Sequence, residues 1–86
     1  MGRSSESRTV SLVHFGAIRE KIGLSCETLV TEAATPRALY RELEERHGLE
    51  IPLSALSVAV NGILCDVDEP FGSGSTIIYL PPFGGG

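Results

Sequence analysis

Residues 76–86 read TIIYLPPFGGG and combine the most β-prone run of this 86-residue chain with a proline pair and three glycines. Threonine, isoleucine and tyrosine favour strands, so residues 76–80 are predicted to form a strand, which we place at the centre of the sheet. Pro81 and Pro82 restrict φ and donate no backbone hydrogen bond, so the strand ends there. We therefore expect residues 81–86 to form an extended arm that reaches on the order of 20 Å.

The arm favours chemistry at its terminal carboxylate. Gly84, Gly85 and Gly86 have no Cβ, so this end of the chain can thread a narrow enzyme tunnel and present the Gly86 carboxylate in another protein's active site. Glycine runs also occur as plain flexible ends. An interaction domain with a tail of no function is therefore an alternative that the tail alone leaves open.

Length and composition indicate one small domain. We expect residues 1–8 to form a disordered lead, residues 9–80 the folded domain and residues 81–86 the tail. The net charge of -4 and the pI of about 5.0 argue against nucleic acid or an anionic membrane as partner, and favour basic protein surfaces. No stretch approaches the ~20 apolar residues of a membrane span, so we expect a cytoplasmic protein.

The local patterns predict one long helix and a sheet. Thr35-Pro36 is a strong helix start and Gly48 a helix end. Asn61-Gly62 is a hairpin signal because both residues tolerate positive φ. The predicted order is strand 9–15, helical turn 17–22, strand 26–31, helix 36–47, then strands 56–60, 63–67 and 76–80. The helix would cover one face of the sheet, and the other face would need a partner if it is apolar.

The chain shows no internal catalytic constellation. Gly72-Ser73-Gly74 is followed by neither a helix start nor a lysine, so it is read as a turn rather than a phosphate loop. His47 is interpreted as a plain helix-end histidine. Cys26 and Cys65 lie outside metal-ligand spacing and are expected to pack on strands as small residues. We therefore expect no metal site and no bound cofactor.

The assembled features resemble the MoaD/ThiS family of ubiquitin-like sulfur carriers, particularly its molybdopterin-synthase branch. The resemblance covers residues 10–86 and is carried by VSLVHFGAIRE at 10–20, VAVN at 58–61, Asp68 and YLPPFGGG at 79–86. The Pro-Pro-x-x-Gly-Gly ending favours the molybdopterin branch over the thiamine branch. Departures from the family pattern are Ser73-Gly74-Ser75 in place of a frequent Asp-Gly-Asp, Phe83 in place of a frequent aliphatic, and Gly84 in place of a small side chain.

The resemblance implies an α+β, β-grasp fold, with a mixed sheet of about five strands packed on one main helix and a free C-terminal tail. It also implies a sequence of partners. An ATP-using, MoeB-like adenylyltransferase would adenylate Gly86, and sulfur from a cysteine desulfurase or rhodanese would convert it to a thiocarboxylate. A MoaE-like large subunit of molybdopterin synthase would supply the catalytic residues and receive the sulfur for molybdenum cofactor biosynthesis.

The resemblance also assigns roles to particular residues. Gly86 is the reactive end, and the residues that would thread the partner's tunnel are Pro81, Pro82, Phe83, Gly84 and Gly85. Three positions match an apolar patch on the exposed sheet that binds partners: Phe15, Leu64 and Leu80. Two alternatives keep the same tail. The chain could carry sulfur to thiamine, cysteine or a secondary metabolite, or it could be a ubiquitin-like modifier that forms an isopeptide bond through Gly86.

Overall fold

The computed structural model describes residues 7–81. These residues form five strands, two α-helices and one short 3₁₀ turn. In chain order they are β1 (Arg8–Val13), α1 (Gly16–Ile22), β2 (Cys26–Thr31), α2 (Pro36–His47), the 3₁₀ turn Leu53–Ala55, β3 (Ser57–Val60), β4 (Ile63–Cys65) and β5 (Thr76–Leu80).

The five strands make one mixed sheet in the order β2-β1-β5-β3-β4. β1 and β5 run parallel, and every other neighbouring pair runs antiparallel. The predicted central position of β5 is confirmed, because β1 and β3 flank it on either side. Strands β1 and β5, from the two ends of the described chain, therefore lie next to each other inside the sheet. The mixed sheet together with the helices confirms the predicted α+β class.

Helix α2 begins and ends where its sequence signals predict. The Thr35 side chain accepts a 3.2 Å hydrogen bond from the N–H of Ala38, and Pro36 occupies the first turn. Gly48 ends the helix with a left-handed φ of 66°, a conformation that glycine adopts without steric cost.

The core lies between α2 and one face of the sheet. Tyr40 from the helix and Tyr79 from β5 contact each other with ring centroids 5.0 Å apart. Both hydroxyls donate 2.6 Å hydrogen bonds to backbone carbonyls, that of Tyr40 to Ile51 and that of Tyr79 to Pro36. The remaining buried members of this cluster are Val10, Leu12, Ile18, Ala33, Leu39, Leu43, Leu49, Val58, Phe71 and Ile77.

The strand boundaries differ from prediction at several ends. β1 begins at Arg8, inside the predicted lead, whose residues 1–6 lie outside the described residues. β1 stops at Val13 rather than at residue 15, because the chain turns at Gly16 into α1. β3 begins one residue later than predicted, at Ser57. β4 stops at Cys65 rather than at residue 67, because the side chain and carbonyl of Asp66 organise the turn that follows.

Candidate functional site

The base of the tail lies where two parallel strands end together. Val13 of β1 stands opposite Ile78 of β5 in the parallel register, so both strands leave the sheet at the same edge. Phe15 follows β1 in an extended conformation, with φ -133° and ψ 158°, and its carbonyl accepts the N–H of Arg19 at 3.2 Å. Pro81 follows β5 and is the last described residue. The β1–α1 turn and the start of the tail are therefore neighbours.

An apolar groove of about 300 Å³ lies at this edge, lined by Phe15, Gly16, Leu80 and Pro81. The Phe15 side chain is 47% exposed, whereas Leu80 and Pro81 are half-buried. Two of the three predicted partner-binding residues, Phe15 and Leu80, thus share one groove, and the tail continues directly from it. An exposed aromatic ring beside an apolar groove can anchor a protein partner.

The third predicted residue, Leu64, lies on the sheet face opposite α2. The strand registers align one side chain from each strand in a single row across this open face: Cys26, Val13, Ile78, Ala59 and Leu64. Leu64 ends the row on edge strand β4 and is 67% exposed. Leu80 follows Ile78 by two residues, so it points to the same face. The open face therefore joins Leu64 to the tail base through apolar side chains.

Most of the predicted reactive tail lies outside the described residues. Pro82, Phe83, Gly84, Gly85 and Gly86 belong to this part of the chain, and their roles stay predictions. What the structure places is their point of attachment. The tail continues from the central strand, beside the exposed Phe15 ring.

Sequence reasoning missed the hydrogen bond between His14 and Glu27, which lies behind the Phe15 turn. His14 is buried, and its Nε2 lies 2.8 Å from Oε2 of Glu27 on β2. The alternation of β1 was the available signal, because it puts His14 on the same inward face as Val10 and Leu12. His14 is thereby held in place directly before Phe15, with its ring nitrogen engaged by a carboxylate.

The other titratable residues that the sequence singled out do not converge on a site. His47 ends α2, and within residues 7–81 its buried Nε2 has no hydrogen-bond partner. Cys65 packs against the core as expected, and burial, with Glu69 and Asp66 nearby, raises the pKa of its thiol. Cys26 differs from expectation, since it is exposed on the open face. Among residues 7–81, no group of three or more His, Cys, Asp or Glu side chains could hold a metal ion.

Asp68, which the family resemblance singled out, has a structural partner. Its carboxylate accepts two hydrogen bonds from Arg37, at 2.7 Å from Nε and 3.0 Å from the terminal nitrogen. The Arg37 N–H donates to the carbonyl of Val67, and the N–H of Phe71 donates to Ala34. These contacts fasten the loop between β4 and β5 to the start of α2.

Neither helix within residues 7–81 is long and apolar enough to cross a membrane.

Comparisons with known proteins agree with this architecture. The sequence profile of the ThiS family matches residues 12–86. A chain in the complex of subunits 1 and 2 of molybdopterin-converting factor from Helicobacter pylori is 32% identical, with a TM-score of 0.62, and the match covers 91% of this chain and 99% of that one. A Pyrococcus furiosus protein provisionally assigned as molybdopterin converting factor, subunit 1, is 26% identical, with a TM-score of 0.72 and coverage of 87% and 98%.

A third structure shares the fold at lower identity. The small archaeal modifier protein 1 from Methanosarcina acetivorans is 17% identical, with a TM-score of 0.75 and coverage of 94% of this chain and 99% of that one. A search of curated proteins finds no match. The family profile spans most of the chain, and the structural matches share its mixed five-stranded sheet. The chain therefore belongs to the ThiS family, the MoaD/ThiS group that its sequence resembles, and it has the ubiquitin-like β-grasp fold.

Proposed function

We propose that this chain is a sulfur-carrier protein that acts as the small subunit of a molybdopterin synthase. The observation that carries the proposal is the attachment of the glycine-ended tail to central strand β5, beside an apolar groove with an exposed Phe15. The 32% identity to a chain of the Helicobacter pylori molybdopterin-converting factor complex supports the choice of this branch.

Gly86 is the reactive residue in this proposal, and its carboxylate must first be activated. The negative charge of a carboxylate is shared by two oxygens, so its carbon is a poor electrophile. Attack of a carboxylate oxygen on the α-phosphorus of ATP releases pyrophosphate and forms an acyl-adenylate. A MoeB-like adenylyltransferase would bind the ATP and catalyse this step. AMP is then the leaving group that the carboxylate lacks.

Sulfur enters at the activated carbon. The terminal sulfur of a donor persulfide, on a cysteine desulfurase or rhodanese, forms the carbon–sulfur bond while AMP leaves with the carbon–oxygen electron pair. A second thiol then cleaves the sulfur–sulfur bond, which leaves a thiocarboxylate on Gly86 and a disulfide on the donor side. The thiocarboxylate is a soft nucleophile on a deliverable arm. The thiocarboxylate sulfur bonds to a carbon of the pterin precursor as a leaving group departs from that carbon. Water then attacks the Gly86 acyl carbon and cleaves its bond to sulfur, which restores the carboxylate and leaves the sulfur on the pterin.

The open face and the groove supply the docking surface in this proposal. Phe15, Leu64 and Leu80 would contact first the adenylyltransferase and then a MoaE-like large subunit, which contributes the catalytic residues. The charge pattern fits basic partners, because the chain carries a net charge of -4. One shared surface means that the two partners bind in turn rather than together.

The test is intact-mass spectrometry of the full chain after incubation with ATP, the adenylyltransferase and a persulfide donor. We expect replacement of one oxygen by sulfur, located by fragmentation at Gly86. A chain that lacks only Gly86 should keep its fold and stay unmodified. A chain that lacks only Gly2, which is 84 positions before Gly86 in sequence, is the matched control and should be converted like the wild type. Conversion of the chain without Gly86 would contradict the proposal.

The same experiment separates the rival functions. Branched conjugates to lysines would indicate a ubiquitin-like modifier; one structure that shares the fold at 17% identity is named a small archaeal modifier protein. A thiocarboxylate that the synthase large subunit fails to consume, but that a thiazole-forming enzyme consumes, would indicate a thiamine carrier. We expect consumption by the large subunit, with sulfur recovered in the pterin product.

A further inference from the structure

The residue directly before Phe15 is fixed by two hydrogen bonds. The N–H of His14 donates to the carbonyl of Ser25 at 2.8 Å, which extends the pairing with β2 one residue beyond the end of β1. The ring Nε2 of His14 lies 2.8 Å from Oε2 of Glu27. The His14 side chain is 1% exposed and that of Glu27 is 16% exposed. The Glu27 carboxylate therefore holds an imidazole that water hardly reaches.

His14 and Phe15 point to opposite faces of the sheet. Glu27 stands opposite Leu12, which is completely buried, so Glu27 and its partner His14 lie on the helix side. Phe15 has an extended backbone, and side chains alternate along an extended chain. The Phe15 ring therefore turns towards the open face, where it is 47% exposed. Anchoring His14 inward fixes the outward orientation of Phe15.

We propose that Glu27 is a positioning residue for docking, which acts through His14 to hold the Phe15 ring beside the apolar groove. The inference rests on the proposed function, because Phe15 is a docking anchor there. A buried imidazole without its partner is an unsatisfied polar group, which favours rotation of His14 towards water. Rotation at His14 reorients the next peptide and with it Phe15. An anchor already held in its binding orientation loses less conformational freedom on association.

The other end of β2 supplies a matched control. Thr31 is buried and stands opposite Arg8, at the end of β1 that is distant from Phe15. Its Oγ1 donates a 2.7 Å hydrogen bond to Oε1 of Glu42 and accepts one of 3.0 Å from the N–H of Ala33. Thr31→Val removes both bonds and keeps the shape of the side chain. It therefore disturbs the same strand without disturbing Phe15.

The first experiment is calorimetric binding of the full chain to a MoaE-like subunit, with thermal unfolding of each variant. We expect Glu27→Ala to weaken binding about tenfold and Thr31→Val less than about twofold, although both lower the unfolding midpoint. Glu27→Gln keeps an acceptor for the His14 Nε2–H and should stay within about threefold of the wild type. In a Phe15→Ala background, Glu27→Ala should weaken binding by less than a further factor of about two.

The second experiment needs no partner. The three-bond NMR coupling between the amide and α protons of Phe15 reports its φ, which is -133° in the structure. We expect the large coupling of an extended residue in the wild type and in Thr31→Val, and a smaller, averaged coupling in Glu27→Ala. If the wild-type chain fails to bind the large subunit, the proposed function fails, while this coupling still decides whether Glu27 orders Phe15.

Three results would overturn the inference. The first is an equal loss of affinity in Glu27→Ala and Thr31→Val, and the second is a Glu27→Ala effect that persists in the Phe15→Ala background. The third is an unchanged Phe15 coupling in Glu27→Ala. If Glu27→Ala fails to fold, Glu27→Asp carries the same cycle with an expected effect of about threefold, because its shorter side chain draws the carboxylate away from His14.

Discussion

The hydroxyl of Tyr79 donates a 2.6 Å hydrogen bond to the backbone carbonyl of Pro36, across 43 positions of sequence. It joins central strand β5, from which the tail continues, to the first turn of α2. The Tyr79 side chain is almost completely buried, so the hydroxyl has no access to bulk water. The strand that carries the tail is therefore held by side-chain packing, backbone pairing and this buried polar contact.

Tyr79→Phe should lower the free energy of unfolding by about 1–2 kcal/mol, since it removes a buried hydrogen bond while keeping the ring. Urea denaturation measures the change. Tyr40→Phe is the comparison, because it removes a hydrogen bond of the same length to Ile51 at a more accessible site. We expect the smaller loss there. Equal losses would show that burial of the Tyr79 hydroxyl contributes nothing extra.

Stability should decline at alkaline pH. Burial, with Glu44 nearby, raises the pKa of Tyr40 to about 12, and burial, with Tyr40 nearby, also raises the pKa of Tyr79. A tyrosine in the unfolded chain ionises near pH 10, so above that pH the native state holds protons that the unfolded state has lost. The free energy of unfolding then falls as pH rises from about 10 towards 12. Urea midpoints across this window test the slope, which Tyr79→Phe should reduce.

Two neighbouring residues of edge strand β4 provide a test of the docking face. Leu64 is 67% exposed and Ile63 is 70% exposed, but they point to opposite faces of the sheet. Leu64→Asp should weaken binding of the full chain to a MoaE-like subunit at least about tenfold, because it puts a charge into an apolar contact. Ile63→Asp should change the affinity less than about twofold. Calorimetry measures both, and equal effects would place the interface elsewhere.

The ion pair between Arg37 and Asp68 should be visible in an NMR titration. Hydrogen bonds and charge from Arg37 hold the pKa of Asp68 below its usual value, and both side chains are exposed. Because the folded pKa is depressed, the pair stabilises the fold above the unfolded pKa of about 3.9 and ceases to do so as pH falls through the folded value. Arg37→Gln should return the Asp68 titration to the ordinary range. An unchanged midpoint would show that Arg37 does not set it.

Local sequence signals predicted the elements whose boundaries depend on residues close to them in sequence. The bounds of α2 follow from Thr35-Pro36 and Gly48, and residues 76–80 form a strand as their composition indicates. The end of β1 was missed, because residues 9–15 look equally strand-like and the turn depends on the left-handed φ of Gly16. The structure thus confirms the predictions that rest on a helix cap or on a run of β-forming residues.

Contacts between segments that are distant in sequence were not predicted, and only the structure places them. The His14–Glu27 pair and the shared groove of Phe15 and Leu80 both follow from strand registers, which no single strand specifies by itself. Family resemblance bridged part of this gap. It indicated an exposed face that includes Leu64 and Leu80, before the registers placed them there.

The position of β5 also has a consequence for how the protein is made. β5 is the last strand within residues 7–81 and yet lies in the middle of the sheet, between β1 and β3. During synthesis the sheet cannot close until residues 76–80 have emerged, because β1 and β3 have no direct pairing to each other. A chain cut short before residue 76 would lack its central strand and should be removed as unfolded protein. Quality control of folding therefore removes those truncated chains that have lost β5 together with the tail.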